Sequence, residues 1–101
     1  MSSPINFINV FKAYHEREIY DTFMYGCCYW FAIILKERFN GQIYYLPIEN
    51  HFITKIDNDF YDISGKVILT ETPVLWNEFQ QFDPAAAARI EHYCILKEEG
   101  I

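Results

Sequence analysis

Apolar residues recur at helical spacing from the N-terminus. Ile5, Phe7, Ile8, Phe11, Tyr14, Ile19 and Tyr20 trace a stripe, with Lys12, Glu16 and Arg17 off it. Ser3-Pro4 supplies an N-cap and a first helical residue, so the pattern predicts a helix from there to about Asp21. Beyond the connection Met24-Tyr25-Gly26 the chain turns apolar on every face. A second helix is expected from Cys27 or Cys28 to Phe39. Its first two turns are apolar all round, which marks a central helix packed on more than one side. Lys36, Glu37 and Arg38 bring it out to solvent, and Asn40-Gly41 ends it.

After Gly41 the period shortens to two. Gln42–Leu46 is rich in β-formers and closes at Pro47. His51–Ile56 and Phe60–Ile63 read as two more strands around the turn residues Asp57, Asn58 and Asp59. Ser64-Gly65 breaks the pattern, and Lys66–Thr70 adds a further short strand. Thr72-Pro73 opens a second helical region, with Trp76–Phe82 as a helical turn or short helix. Asp83-Pro84 is an N-cap and first-turn pair before Ala-Ala-Ala-Ala-Arg-Ile-Glu-His-Tyr. The expected fold is α+β. N-terminal helices, one central and buried, pack on an antiparallel sheet of three to four strands, with one or two helices following.

Length and composition narrow this picture. The 101 residues carry no repeat, low-complexity stretch or linker, so one domain over 1–101 is expected. Half the residues are apolar and 19% are aromatic, enough for one core. The net charge of −6 argues against nucleic acid or an anionic membrane as partner. The longest apolar run, Cys27 to Leu35, is too short to span a bilayer, and Met-Ser-Ser-Pro-Ile-Asn does not resemble a secretory signal. Three cysteines, two of them adjacent, do not make a disulfide framework. Reduced thiols in the cytoplasm are expected.

One feature points at chemistry. Gly26-Cys27-Cys28 stands at the start of the apolar helix; His51 follows 23 residues after Cys28, and Asp62 another 11. A thiol becomes a nucleophile at neutral pH when a helix N-terminus favours the thiolate and an imidazole takes its proton. Backbone N–H groups at that helix end, including that of Cys28, are placed to hold an oxyanion. Whether Asp62 can help His51 depends on the hairpin register. With Asp57-Asn58 as the turn, residue 53 faces 62 and residue 51 faces 64. His51, Ile53, Asp62 and Ser64 then share one face, and Phe52, Ile56, Tyr61 and Ile63 form the core face. Asp62 sits diagonal to His51, roughly 7–8 Å away along the backbone and within side-chain reach. With Asn58-Asp59 as the turn, Asp62 moves opposite Lys55. A three-residue loop puts it on the other face. Ordinary roles stand beside these: Cys28 as a core residue, His51 as a half-exposed strand residue, Asp62 as a cross-strand partner of Lys55.

The segments Gly26-Cys27-Cys28-Tyr29-Trp30-Phe31-Ala32, Asn50-His51-Phe52-Ile53 and Tyr61-Asp62-Ile63-Ser64-Gly65 resemble a group of small bacterial and phage proteins. Those share G-x-C-Y-x-F-A, an H-F-hydrophobic strand, and Y-D-hydrophobic-x-G. The arrangement is similar, more distantly, to transglutaminase-like and NlpC/P60-like members of the papain-like superfamily. The resemblance covers about residues 26 to 65. It implies a papain-like core with Cys28 as nucleophile, His51 as base and Asp62 as the residue orienting it; Cys27 falls at a variable position. Tyr25 and Thr22 are candidates by position for completing an oxyanion hole.

The functional expectation is a cysteine hydrolase or acyltransferase acting on an amide or ester of a protein or peptide-like substrate. The alternative is a small acidic protein-binding module, or a phage-type inhibitor, that keeps the fold without catalysis. On that alternative an exposed Trp76, Phe79 or Phe82 would mark the partner surface. His15, His92 and Cys94 complete no Cys-x-x-Cys or His-x-x-x-His pair, so neither a metal nor another cofactor is expected. There is no phosphate-binding loop or dinucleotide turn.

Overall fold

The computed structural model describes residues 3–13 and 28–99, with side chains as far as residue 92. Helix α1 covers residues 4–13 within that range, and Ser3 caps it, its Oγ accepting from the Asn6 amide at 3.1 Å. The remainder of the expected first helix lies outside the described residues. Then come α2 (Cys28–Phe39), β1 (Gln42–Leu46), β2 (His51–Ile56), β3 (Asp59–Asp62), β4 (Gly65–Lys66), β5 (Val74–Leu75), α3 (Trp76–Phe82) and α4 (Pro84–Glu99). The α+β class and the order of elements follow the sequence pattern. Asp83 caps α4 as expected, its carboxylate accepting from the Ala86 amide at 3.1 Å.

The sheet has five strands rather than three or four, in the order β4-β3-β2-β1-β5. The extra strand is the pair Val74–Leu75, set against β1 by the pairs Tyr44↔Leu75 and Tyr45↔Val74. Thr72-Pro73 therefore leads into an extended pair, and the helix begins only at Trp76. Two residues are too few to show an alternation, so the edge of β1 makes them a strand. The strand expected over Lys66–Thr70 shrinks to Gly65–Lys66, and beyond it Ile68 and Leu69 are exposed rather than turned to the core.

Helix α2 lies across one face of the sheet and divides the core in two. On one side Cys28 and Ala32 pack with Ile43, Tyr45, Phe52, Trp76 and Ala87. On the other, Phe31 and Leu35 pack with Ile8 of α1 and with Ile56, Tyr61 and Ile63. The all-round apolar character of α2 thus has its cause: helices flank it on both sides and the sheet lies beneath. Thr54, wholly buried on that face, donates from Oγ1 to the Ala32 carbonyl at 3.0 Å.

The end of α2 sets how close it comes to β2. Asn40 takes a left-handed φ of 56°, and the Gly41 amide donates back to the Lys36 carbonyl at 3.1 Å, closing a Schellman-type cap. A Cβ on Gly41 would stand 2.6 Å from the Lys55 carbonyl oxygen and 2.9 Å from Cγ2 of Thr54. The near atom is backbone and has nowhere to go. Gly41→Ala is therefore expected to destabilise the fold by about 1–3 kcal/mol. A urea or thermal melt would read this, and an unchanged midpoint would contradict the packing described.

Candidate functional site

The hairpin β2–β3 pairs Ile56↔Asp59, Lys55↔Phe60 and Thr54↔Tyr61. The turn is therefore Asp57-Asn58, with Asp57 at φ 57° in the region aspartate tolerates. This is the register that the His51–Asp62 pairing requires. Continuing it sets Ile53 level with Asp62 and His51 level with Ser64.

The two side chains meet. Nε2 of His51 lies 2.8 Å from Oδ2 of Asp62, and both residues are only 5% exposed. Oδ1 of Asp62 accepts from the Ser64 amide at 2.7 Å and from the Ser64 hydroxyl. Burial by itself pushes the Asp62 carboxyl up. The hydrogen bonds from His51 and Ser64, with the charge His51 carries when protonated, outweigh that and hold it below the usual carboxylate range. An ionised Asp62 only accepts, so the 2.8 Å contact fixes the proton on Nε2 and leaves Nδ1 to face other chemistry. The ordinary roles for these two residues do not hold: His51 is not half-exposed, and Asp62 does not pair with Lys55. The Lys55 ammonium lies instead over the Phe60 ring, 6.0 Å from its centroid.

The face expected to be polar is closed over as well. Tyr44 pairs with Ile53 from β1, and Phe60 lies diagonal to Ile53 on β3. Those strands are separated by β2, so their backbones are roughly 9–10 Å apart. The two rings nevertheless approach to 5.2 Å between centroids, edge to face. They lean together across β2, and Ile53 beneath them has no exposure. The His51–Asp62 pair thus lies in the same row as a covered apolar residue.

Cys28 reaches the same end of the sheet from the α2 side. It forms no disulfide, is 8% exposed, and its Sγ accepts from the Phe52 amide at 3.4 Å. The ladder explains why that amide is available. Alternation from the closing pair Ile56/Asp59 points the Phe52 N–H toward β3, but pairing stops at Thr54↔Tyr61. The sulfur takes the place of the missing carbonyl. Because the Phe52 nitrogen is bonded to the His51 carbonyl carbon, the sulfur is at most about 6 Å from the His51 Cα. The His51–Asp62 pair and the Phe52–Cys28 contact therefore lie at the same end of β2, where β2 and β3 separate.

Two residues here were not given roles from the sequence. Ser64 was placed on the correct face, and an aspartate with a serine two residues on is a known local hydrogen-bonding pattern that signals its part. Tyr45, packed against Phe52 and Trp76 at 4.9 and 5.4 Å, donates its hydroxyl to Oδ1 of Asn50, the residue before His51. Burial raises the Tyr45 phenol above its usual range, and the neighbouring Cys28 and Glu71 push it the same way.

Trp76 lies in the core at 2% exposure and Phe79 stacks on it, so neither marks a partner surface, whereas Phe82 is 86% exposed. The indole donates to Oε2 of Glu91 at 2.9 Å, and Gln80 donates to the same oxygen at 2.7 Å. His92 is exposed. Thr22, Tyr25, Cys27 and His15 lie outside the described residues, as does the side chain of Cys94. Among the described residues no three His, Cys, Asp or Glu side chains converge to hold a metal ion, and no helix is long and apolar enough to cross a membrane.

A family model described as Phage YunG-like protein matches residues 7–95 of the chain. No curated protein matches. No solved structure matches.

Proposed function

The chain belongs to the phage YunG-like protein family, and we propose that it is a papain-like cysteine hydrolase or acyltransferase acting on an amide or ester bond of a peptide-like substrate. The observation that carries the reading is the buried His51–Asp62 contact of 2.8 Å at the strand end where the Phe52 amide holds Cys28 Sγ. A buried imidazole whose Nε2 proton is held by a carboxylate, beside a thiol, is the arrangement that thiol acyl transfer requires.

His51 Nδ1 takes the thiol proton, giving a thiolate and an imidazolium that Asp62 stabilises. The sulfur attacks the carbonyl carbon, forming an S–C bond. Backbone N–H groups at the start of α2, including that of Cys28, serve as oxyanion donors. The bond from carbon to the leaving nitrogen or oxygen breaks, and the imidazolium proton passes to the leaving group. Water or an amine, deprotonated by Nδ1, then attacks the thioester; the S–C bond breaks and the thiolate leaves. A nucleophilic thiol works only when reduced, which fits the cytoplasm.

The test is alkylation of Cys28 by iodoacetamide, followed by mass spectrometry from pH 5 to 9. An unassisted thiol with a pKa near 8.5 reacts slowly below pH 7. Wild-type Cys28 should keep reacting there, and His51→Ala should restore the ordinary thiol profile. Identical profiles in the two proteins would remove the basis for an enzyme and leave the non-catalytic binding module.

A further inference from the structure

The turn before His51 forms one wall of a groove of about 370 Å³, with Asn50 on one side and Ala86, Arg89 and Ile90 of α4 on the other. We infer that this groove holds a carboxylate carried by the peptide-like substrate close to its scissile bond, with Arg89 and the Asn50 side-chain amide as its donors. The inference rests on the thiol-enzyme reading for its link to Cys28.

Position is the first argument. Asn50 immediately precedes His51 in the chain. Ala87, one residue along α4 from Ala86, shares a core cluster with Cys28, and Ile90 packs against that cluster. A group in the groove therefore lies beside the packing unit that carries the thiol. The volume sits at the lower end of the range for ligand pockets, suited to one side chain or a short acyl group.

Rigidity is the second. Asn50 holds a left-handed φ of 53°, and its Oδ1 accepts from the Tyr45 hydroxyl. The turn is also clamped from outside: the Glu71 carboxylate accepts from the Ile48 amide at 2.8 Å and the Glu49 amide at 3.0 Å. A pre-set wall binds without a further ordering cost.

Donor accounting is the third. With Oδ1 of Asn50 turned to the Tyr45 hydroxyl, its side-chain amide N–H pair remains to donate. Arg89 forms no ion pair among the described residues, in a chain of net charge −6. The α4 carboxylate two residues on, Glu91, is occupied by Trp76 and Gln80, and Glu49 accepts from the Thr70 hydroxyl at 3.3 Å. An amide donor and an arginine fork across an apolar floor of Ala86 and Ile90 match a carboxylate on a short aliphatic stem.

The experiment is an NMR titration of the full chain with N-acetylglutamate α-methylamide, whose one charge is the side-chain carboxylate, and with its uncharged isostere N-acetylglutamine α-methylamide, following the Asn50 side-chain amide and the Arg89 Nε–H. Saturable shifts at both groups are expected with the glutamate compound and not with the glutamine compound. Arg89→Gln should weaken binding several-fold, and Arg89→Lys should retain part of it. No saturable shift, or equal shifts with the two compounds, overturns the inference.

The link to the thiol is read by the ratio of Cys28 alkylation rates with anionic iodoacetate and neutral iodoacetamide. Arg89→Gln should lower that ratio on the order of three-fold, the effect of one exposed charge at about 6 Å in water. Taking the ratio cancels any change in the thiolate fraction, which both reagents feel alike. An unchanged ratio detaches the groove from the thiol and overturns its role as a substrate subsite. If the glutamate compound binds but neither reagent labels Cys28, the carboxylate groove stands and the enzyme reading fails.

Discussion

Replacing Cys28 with alanine is expected to abolish the burst of p-nitrophenol from p-nitrophenyl acetate, together with the acetyl adduct on Cys28. Loss of a nucleophile in comparable acyl-transfer sites lowers kcat by about 10⁴-fold or more. The fold should survive the change. Cys28 is 8% exposed and loses one sulfur atom, at a cost of about 1 kcal/mol. For a domain of this size that lowers Tm by about 4–8 °C. Losing one acceptor also leaves the Phe52 amide short of a partner, so Cys28→Ser, which restores an oxygen there, should be the more stable variant. A burst that persists in Cys28→Ala, or an adduct found on Cys27 or Cys94, would mean that another thiol does the chemistry.

Asp62 should show the largest effect on stability. Its side chain and that of His51 are 6% and 7% exposed, and their contact is 2.8 Å. Asp62→Ala strands the buried His51 Nε2–H and removes the acceptor of both Ser64 donors, and breaking such a buried pair costs about 3–5 kcal/mol. Asp62→Asn keeps the shape but no longer enforces the Nε2–H tautomer. It should cost less stability and still lower acyl transfer by about 10²–10⁴-fold.

The pH dependence has a definite sign. The Asp62 carboxyl is held below its ordinary value in the folded chain. Its contribution to stability is therefore fully present above the unfolded value near 3.9 and is lost as pH falls through the lower folded value. Urea unfolding of wild type and Asp62→Asn from pH 6 to pH 3 should show a gap between them that narrows below pH 4. A constant gap across that range would rule out an ionised, hydrogen-bonded Asp62.

Much of this site was readable from residue types and spacing. Asp57 and Asn58 tolerate the backbone of a tight turn, and parity from that turn forces His51 and Asp62 onto one face. The helix before them was readable for the same reason: an apolar segment of that length must be covered on all sides. Both are local rules, and each follows from the chain's own period. The weak elements were not readable. Val74–Leu75 has no period to detect and becomes a strand only because β1 offers an unpaired edge.

The sequence by itself determined the α+β class and that either two-residue turn puts an imidazole and a carboxylate on one hairpin face. The structure selects the Asp57-Asn58 register that brings them into diagonal reach. Tertiary structure decided three further things. Tyr44 and Phe60 close over Ile53 from strands that are not neighbours, which buries a face that alternation alone marks as solvent-facing. The early end of the β2–β3 ladder leaves the Phe52 amide for the Cys28 sulfur. Glu71 and Tyr45 fix the turn that delivers His51. Periodicity records which way a side chain points. What meets it there depends on segments distant in the chain, and that is settled only when they pack.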